Sequence, residues 1–168
     1  EKVKPTGNII AFRSPTVVGV DHMIDREDVM ANDYIHSDDM MNFCFEIPLT
    51  NHFGGVAFQR LFTQLVAVEL KTYIPPQHTI RVSGDDIYVY TDKQLTERFK
   101  ASVSIVCVRD NAVCGHLGIN VVAGDMAPSF AYSTNLAPIT AEAFMRKVCK
   151  VFYETTNDIF VATTKTIS

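Results

Sequence analysis

The residues best suited to chemistry fall between Thr79 and Ala123. Gly84-Asp85-Asp86, Lys93 and Gly118-Ile119-Asn120 stand on what read as successive strands, so their polar groups are able to converge. Alternation from Val113 to Val121 puts Cys114, His116, Gly118 and Asn120 on one strand face, opposite Val113, Gly115, Leu117, Ile119 and Val121. The polar face offers an imidazole, a gap and a carboxamide, an arrangement that lets a ligand approach the sheet closely at Gly118. His116 is the acid/base candidate, because an imidazole titrates near pH 6.5, within reach of neutral pH. Ser37-Asp38-Asp39 adds a second acidic pair, which reads equally as a site or as solvated loop residues at a strand entrance. Each group also has a structural reading. Paired aspartates after a glycine are ordinary turn chemistry, Lys93 beside Asp92 can be a solvated turn residue, and a lone strand histidine is often a satisfied structural group.

The elements that must position these groups follow from periodicity. Asn8–Phe12 and Thr16–Val20 read as two short strands interrupted by Pro15, and Asp25 as the cap of a short surface helix. Met40–Ile47 alternates as a half-buried strand entered through the Ser37-Asp38-Asp39 loop. A long helix is expected from Val56 to Tyr73, with Phe58, Leu61, Phe62, Leu65, Val68 and Leu70 inward. Gln59, Arg60, Thr63 and Gln64 would form its wet stripe, and Pro75-Pro76 ends it. Strands Thr79–Val82, Asp86–Tyr90, Ala101–Val108 and Ala112–Val122 follow, the last two joined by a turn at Arg109-Asp110-Asn111. A loop then leads to a helix capped at Thr140 and running to Glu154, with Ile159–Val161 as a weak strand or tail. Strands clustered mid-chain between two packed helices specify α+β, a mostly antiparallel sheet covered on one face by helices.

The chain has 168 residues, enough for one domain with a real core, and 47% hydrophobic with 20% charged residues is a globular composition. Residues 1–168 are thus expected to form a single domain, which lacks a short N-terminal segment if something preceded Glu1. A net charge of −4 argues against nucleic acid and anionic membrane as partners. Neither a spanning apolar run nor a secretory signal is evident, so the expected location is the cytoplasm. Cys44, Cys107, Cys114 and Cys149 lack the close pairing of zinc ligands and are expected as buried thiols, with Cys107 and Cys114 facing across the hairpin.

A long apolar helix, then RVSGDDIYV, then a lysine, then a hairpin ending in LGINV, is an order that resembles the catalytic core of biotin and lipoate protein ligases. A closer resemblance, at MIDREDV, SDDM and GDDIYV through LGINV, is to the uncharacterised domain-of-unknown-function family 366. The ligase resemblance implies a class II synthetase-like fold, with Lys93 contacting an acyl carboxylate or phosphate and Gly118-Ile119-Asn120 near a nucleotide. On that reading Asp85, Asp86, Gly118, Asn120 and Ser37 hold the ligand. Lys93 and His116 act on it, and Asp38 or Asp39 hold Mg²⁺ with ATP. The implied function is binding of a small carboxylate or nucleotide with acyl or nucleotidyl transfer, by a chain that can pair as a homodimer.

The chain also departs from the ligases. The region before Met40 has no Gly/Arg-rich loop, Asp85 stands where they carry asparagine, and His116 replaces a small residue. These changes make the site more acidic and more crowded, which points to a different ligand. They also support the alternative, a non-catalytic module that binds a small molecule or a protein on the same scaffold.

Overall fold

The computed structural model describes residues 7–165 except Leu49 and Asn111. Among the described residues there are two antiparallel sheets and three α-helices. β1 (Asn8–Val18), β2 (Ile35–Pro48), β6 (Ser102–Arg109) and β7 (Ala112–Val122) form one sheet in the order β1-β2-β7-β6. β3 (Thr79–Ser83), β4 (Asp86–Tyr90) and the three-residue β5 (Arg98–Lys100) form the other. The helices are α1 (Arg26–Ala31), α2 (His52–Leu70) and α3 (Pro138–Thr163). The fold is α+β, as the sequence predicts. Among the described residues no helix is long and apolar enough to cross a membrane.

The inward residues of β2 and β7 pack against α2 and α3. Phe45 meets Phe58, Phe62 and Phe152 with ring centroids 5.5–5.7 Å apart, and Phe43 meets Phe144 at 6.2 Å. These rings are buried, and well-packed aromatic pairs add about 0.5–1.5 kcal/mol each beyond area burial. α2 starts where Asn51 accepts the Gly54 N–H at 2.8 Å, four residues before the expected Val56. α3 begins with Pro138 at its first turn and continues through Ile159–Val161, so that segment is helical rather than a strand or tail. Thr140 lies inside the helix and does not cap it.

The sequence reading also errs on the faces of α2. Leu61 and Val68 are exposed, while Gln59 and Thr63 are buried at 3% and 1%. Periodicity finds an apolar stripe, but packing on β6 and β4 shifts it, and Gln59 is buried because it finds polar partners there. At the other edge, β1 is one strand with a bulge between Ser14 and Thr16. Pro15 lacks an N–H, and an edge strand absorbs that loss with a bulge rather than by ending. β2 likewise begins at Ile35, so Ser37-Asp38-Asp39 lies within the strand and not in a loop ahead of it. The β6–β7 turn falls where expected, with Asp110 at φ +47, although Asn111 is outside the described residues. Cys107 and Cys114 are register partners, and Cys44 is exposed rather than buried.

The two sheets join at Lys100-Ala101-Ser102. The Ala101 N–H donates to the Ile87 carbonyl at 2.8 Å, and its own carbonyl accepts from Asn120 N–H at 3.1 Å. Ser102 Oγ accepts the Ile87 N–H at 2.8 Å. On the other side, Lys100 exchanges backbone bonds with Phe130 and Tyr132. This junction is completely buried at Ala101 and fixes β4, β5 and β7 around one cavity.

Candidate functional site

A cavity of about 420 Å³ opens between the sheets, within the range of small-molecule sites. Its floor is the outward face of β6 and β7, with Val103, Ile105, His116 and Asn120. Its side is Asp85, Asp86 and Lys100 from the second sheet, and its cover is the segment from His22 to His36 with Phe130 opposite. The cover is held by α1, whose Asp25 cap accepts from Glu27 N–H at 2.8 Å and Asp28 N–H at 3.3 Å. Asn32, at φ 55, ends that helix in the left-handed region that asparagine tolerates.

Lys100 Nζ lies 2.9 Å from Asp86 Oδ1. Burial works against its positive charge, but the Asp86 carboxylate, with Tyr88 and Asp28, outweighs burial and raises its pKa. Tyr88 donates to Asp86 Oδ2 at 3.2 Å, and the Arg98 guanidinium lies 4.7 Å from the Tyr88 ring centre. Asp85 accepts from Gln59 Nε2 at 3.0 Å and pairs with Arg60 at 3.4 Å. The same Gln59 nitrogen donates to Ser104 Oγ at 2.8 Å, which ties α2 to the cavity floor. Asp28 is raised by burial, with Lys100 pulling it down and Asp25, Asp33 and Asp86 pushing it up.

His116 Nε2 is 2.8 Å from Asn42 Oδ1. The Asn42 amide nitrogen donates to Ser14 Oγ and the Met40 carbonyl, both at 3.1 Å, so its oxygen is the acceptor toward His116. His116 therefore carries its proton on Nε2 and leaves a lone pair on Nδ1. Burial lowers its pKa, so the ring is neutral at pH 7 and is a base rather than an acid there. Asn120 is 6% exposed and lines the cavity on the His116 face, where its carboxamide opens to the cavity space; among the described residues no fully buried side-chain nitrogen or oxygen is left without a partner.

The structure brings Asp85, Asp86, His116 and Asn120 to the cavity and leaves the other expected residues elsewhere. Lys93 is exposed on the turn after β4. Backbone N–H groups of Glu97 and Thr96 bind the adjacent Asp92 carboxylate and hold its pKa down to about 2, so that turn is built by its own hydrogen bonds. Gly118 does not line the cavity, because the Met40 side chain fills the gap over it and a Cβ there would overlap Met40 Sδ. Ser37 is fully buried and its hydroxyl is engaged by the Asp39 and Val122 carbonyls at 3.0 and 3.1 Å. Asp38 pairs with His36 at 3.0 Å, whereas Asp39 pairs with Arg13, its Oδ1 3.2 Å from Nε. Strand alternation sends the two acids to opposite sides of the sheet.

A family model described as Domain of unknown function (DUF366) matches residues 3–167. The chain belongs to this family. A protein of unknown function from Pyrococcus horikoshi is similar to this DUF366 chain at 24% identity and TM-score 0.81, with 97% of this chain and 82% of that one covered. A bipartite lipoate protein ligase from Thermoplasma acidophilum is similar at 10% identity and TM-score 0.58, covering 87% and 71%. Protein Ta0514 of T. acidophilum, whose structure holds bound lipoic acid, is similar at 12% identity and TM-score 0.55, covering 87% and 72%. These likenesses show a lipoate ligase-like fold. No curated protein matches the chain.

Sequence reasoning passes over Lys100, Asp28 and Gln59 in this DUF366 chain. Lys100 carries the one available signal, a charge between Phe99 and Ala101 next to a buried strand. β5 is too short for alternation to reveal its orientation, and Asp28 reads as an ordinary first-turn acid of a surface helix.

Proposed function

We propose that this chain is a small-molecule-binding protein on a ligase-like scaffold, and that its ligand occupies the cavity between the sheets. Asn120 supports this reading most. Its carboxamide opens to the cavity from a nine-tenths-buried residue, and a ligand that pairs with it gains a hydrogen bond worth about 0.5–1.5 kcal/mol net. Val103, Ile105 and Phe130 supply apolar contact to the same space, and Lys100 and His116 add polar ends. The support is geometric, so the measurement is direct. Native mass spectrometry of the purified protein and thermal-shift screening against acyl acids, amines and nucleotides should find a bound class. Asn120→Ala should weaken it about tenfold, equivalent to 1.4 kcal/mol. If no molecule is retained and none of these classes binds, the reading fails.

Acyl or nucleotidyl transfer is the enzymatic extension of this reading. In it Lys100, not Lys93, meets a carboxylate or phosphate, and neutral His116 accepts a proton at Nδ1, with ATP and Mg²⁺ as the implied co-substrate and cofactor. Asp38 and Asp39, the residues expected to hold the Mg²⁺, are paired with His36 and Arg13, and neither lines the cavity. Binding without turnover is favoured by Lys100 being already engaged by Asp86, which leaves its charge balanced before any anion arrives. Release of pyrophosphate from ATP in the presence of an acyl acid would decide for transfer.

A further inference from the structure

The charges around the cavity do not suit an anion. Six carboxylates line it, those of Asp25, Glu27, Asp28, Asp33, Asp85 and Asp86, against Lys100 as the one Lys or Arg among the described lining residues. Asp85 is paired with Arg60 and Asp86 with Lys100, so both cations near the cavity are already matched. The remaining four acids all come from the cover, and none has an ion-pair partner among the described residues. A polyphosphate or free carboxylate entering here meets a field of its own sign. A positive group is attracted.

Two further observations narrow the ligand. Among the described residues no three His, Cys, Asp or Glu side chains are grouped to hold a metal ion, so the acids are spread over a wall instead of focused on a point. The floor combines apolar Val103 and Ile105 with Asn120, a nine-tenths-buried residue whose carboxamide opens to the cavity and offers a directional polar contact. Resting on the small-molecule reading above, we infer that the cavity takes an organic cation, a molecule with an apolar body and a protonated amine directed at Asp28 and Asp33 under the α1 cover. A hydrogen-bonding group on that body pairs with Asn120. Burial first, and then the charges of Asp25, Asp33 and Asp86, push the Asp28 pKa up, and a bound amine offsets that like-charge contribution.

The test uses three probes of one skeleton, phenethylamine, 3-phenylpropanoate and 2-phenylethanol, titrated calorimetrically into the whole chain. The amine should bind about tenfold more tightly than the carboxylate, and its affinity should fall as salt is raised. Asp28→Asn should weaken the amine about fivefold and leave the alcohol unchanged, because only the charged probe uses that carboxylate. Its far-ultraviolet circular dichroism and melting curve check that the variant is folded. Should Asp28→Asn not fold, Asp33→Asn is read in the same way. A carboxylate that binds more tightly than the amine, and is lost in Asn120→Ala, overturns the cation while leaving the cavity as a small-molecule site. Binding of none of the three, with no molecule retained in native mass spectrometry, overturns both.

Discussion

At the scale of single residues, the cavity separates groups that hold the fold from groups that await a partner. Ser37 and Asn42 are engaged in hydrogen bonds within the sheet, whereas the Asn120 carboxamide opens to the cavity. Asn120→Ala is therefore expected to change stability by less than about 1 kcal/mol, since that carboxamide faces the cavity and not the core; chemical denaturation measures this. His116 gives a pH signature. Its folded pKa is lowered by burial, so between that value and about 6.5 the unfolded chain binds more protons than the folded one. Stability from this group is present above the unfolded value and is lost as pH falls through that window. Melting curves of the wild type should drop more between pH ~7.5 and ~5.5 than those of His116→Gln; parallel curves would contradict the assignment.

At the scale of elements, β7 carries both the core and the site, and its two glycines are there for packing. A Cβ on Gly115 would overlap the Phe45 ring, which is held among Phe58, Phe62 and Phe152. A Cβ on Gly118 would overlap the end of Met40, a flexible side chain, and reach Val103 Cγ2 at 3.0 Å. Overpacking of this kind costs about 1–3 kcal/mol, and Gly115→Ala should stand at the upper end and Gly118→Ala at the lower. Urea midpoints in the reverse order would show that Met40 is the less yielding neighbour. The DDIYV strand and the hairpin into LGINV are legible in sequence because each alternates over enough residues to show its faces. The cover is not, because a six-residue helix and a 3-10 turn over Val20–His22 have no period that says what they lie against.

At the scale of the whole molecule, α3 closes the core through Phe152, which touches Phe45, Phe58 and Phe62 together. Phe152→Ala should lose about 3–5 kcal/mol and keep a single unfolding transition, since one aromatic cluster spans both helices and the sheet; two transitions would show that α3 and the sheet unfold separately. Edge strand β1 leaves Ile10 68% and Phe12 43% exposed. If that edge pairs two copies as a homodimer, sedimentation velocity gives a dimer that Ile10→Lys dissociates, and a monomer at all concentrations excludes it. By itself the sequence determined the α+β class, the main strands and the two long helices, because those depend on hydrophobic periods within one segment. It also determined that Asp86, His116 and Asn120 carry polar groups in strands near one another. Only the tertiary structure decided that Lys100 and not Lys93 stands at the cavity, that Met40 fills the space at Gly118, and that Asp38 and Asp39 part company. Those outcomes depend on which strand crosses from one sheet to the other at Ala101, and on which side chain reaches a gap first. Contacts between residues far apart in the chain settle both, and no local pattern encodes them.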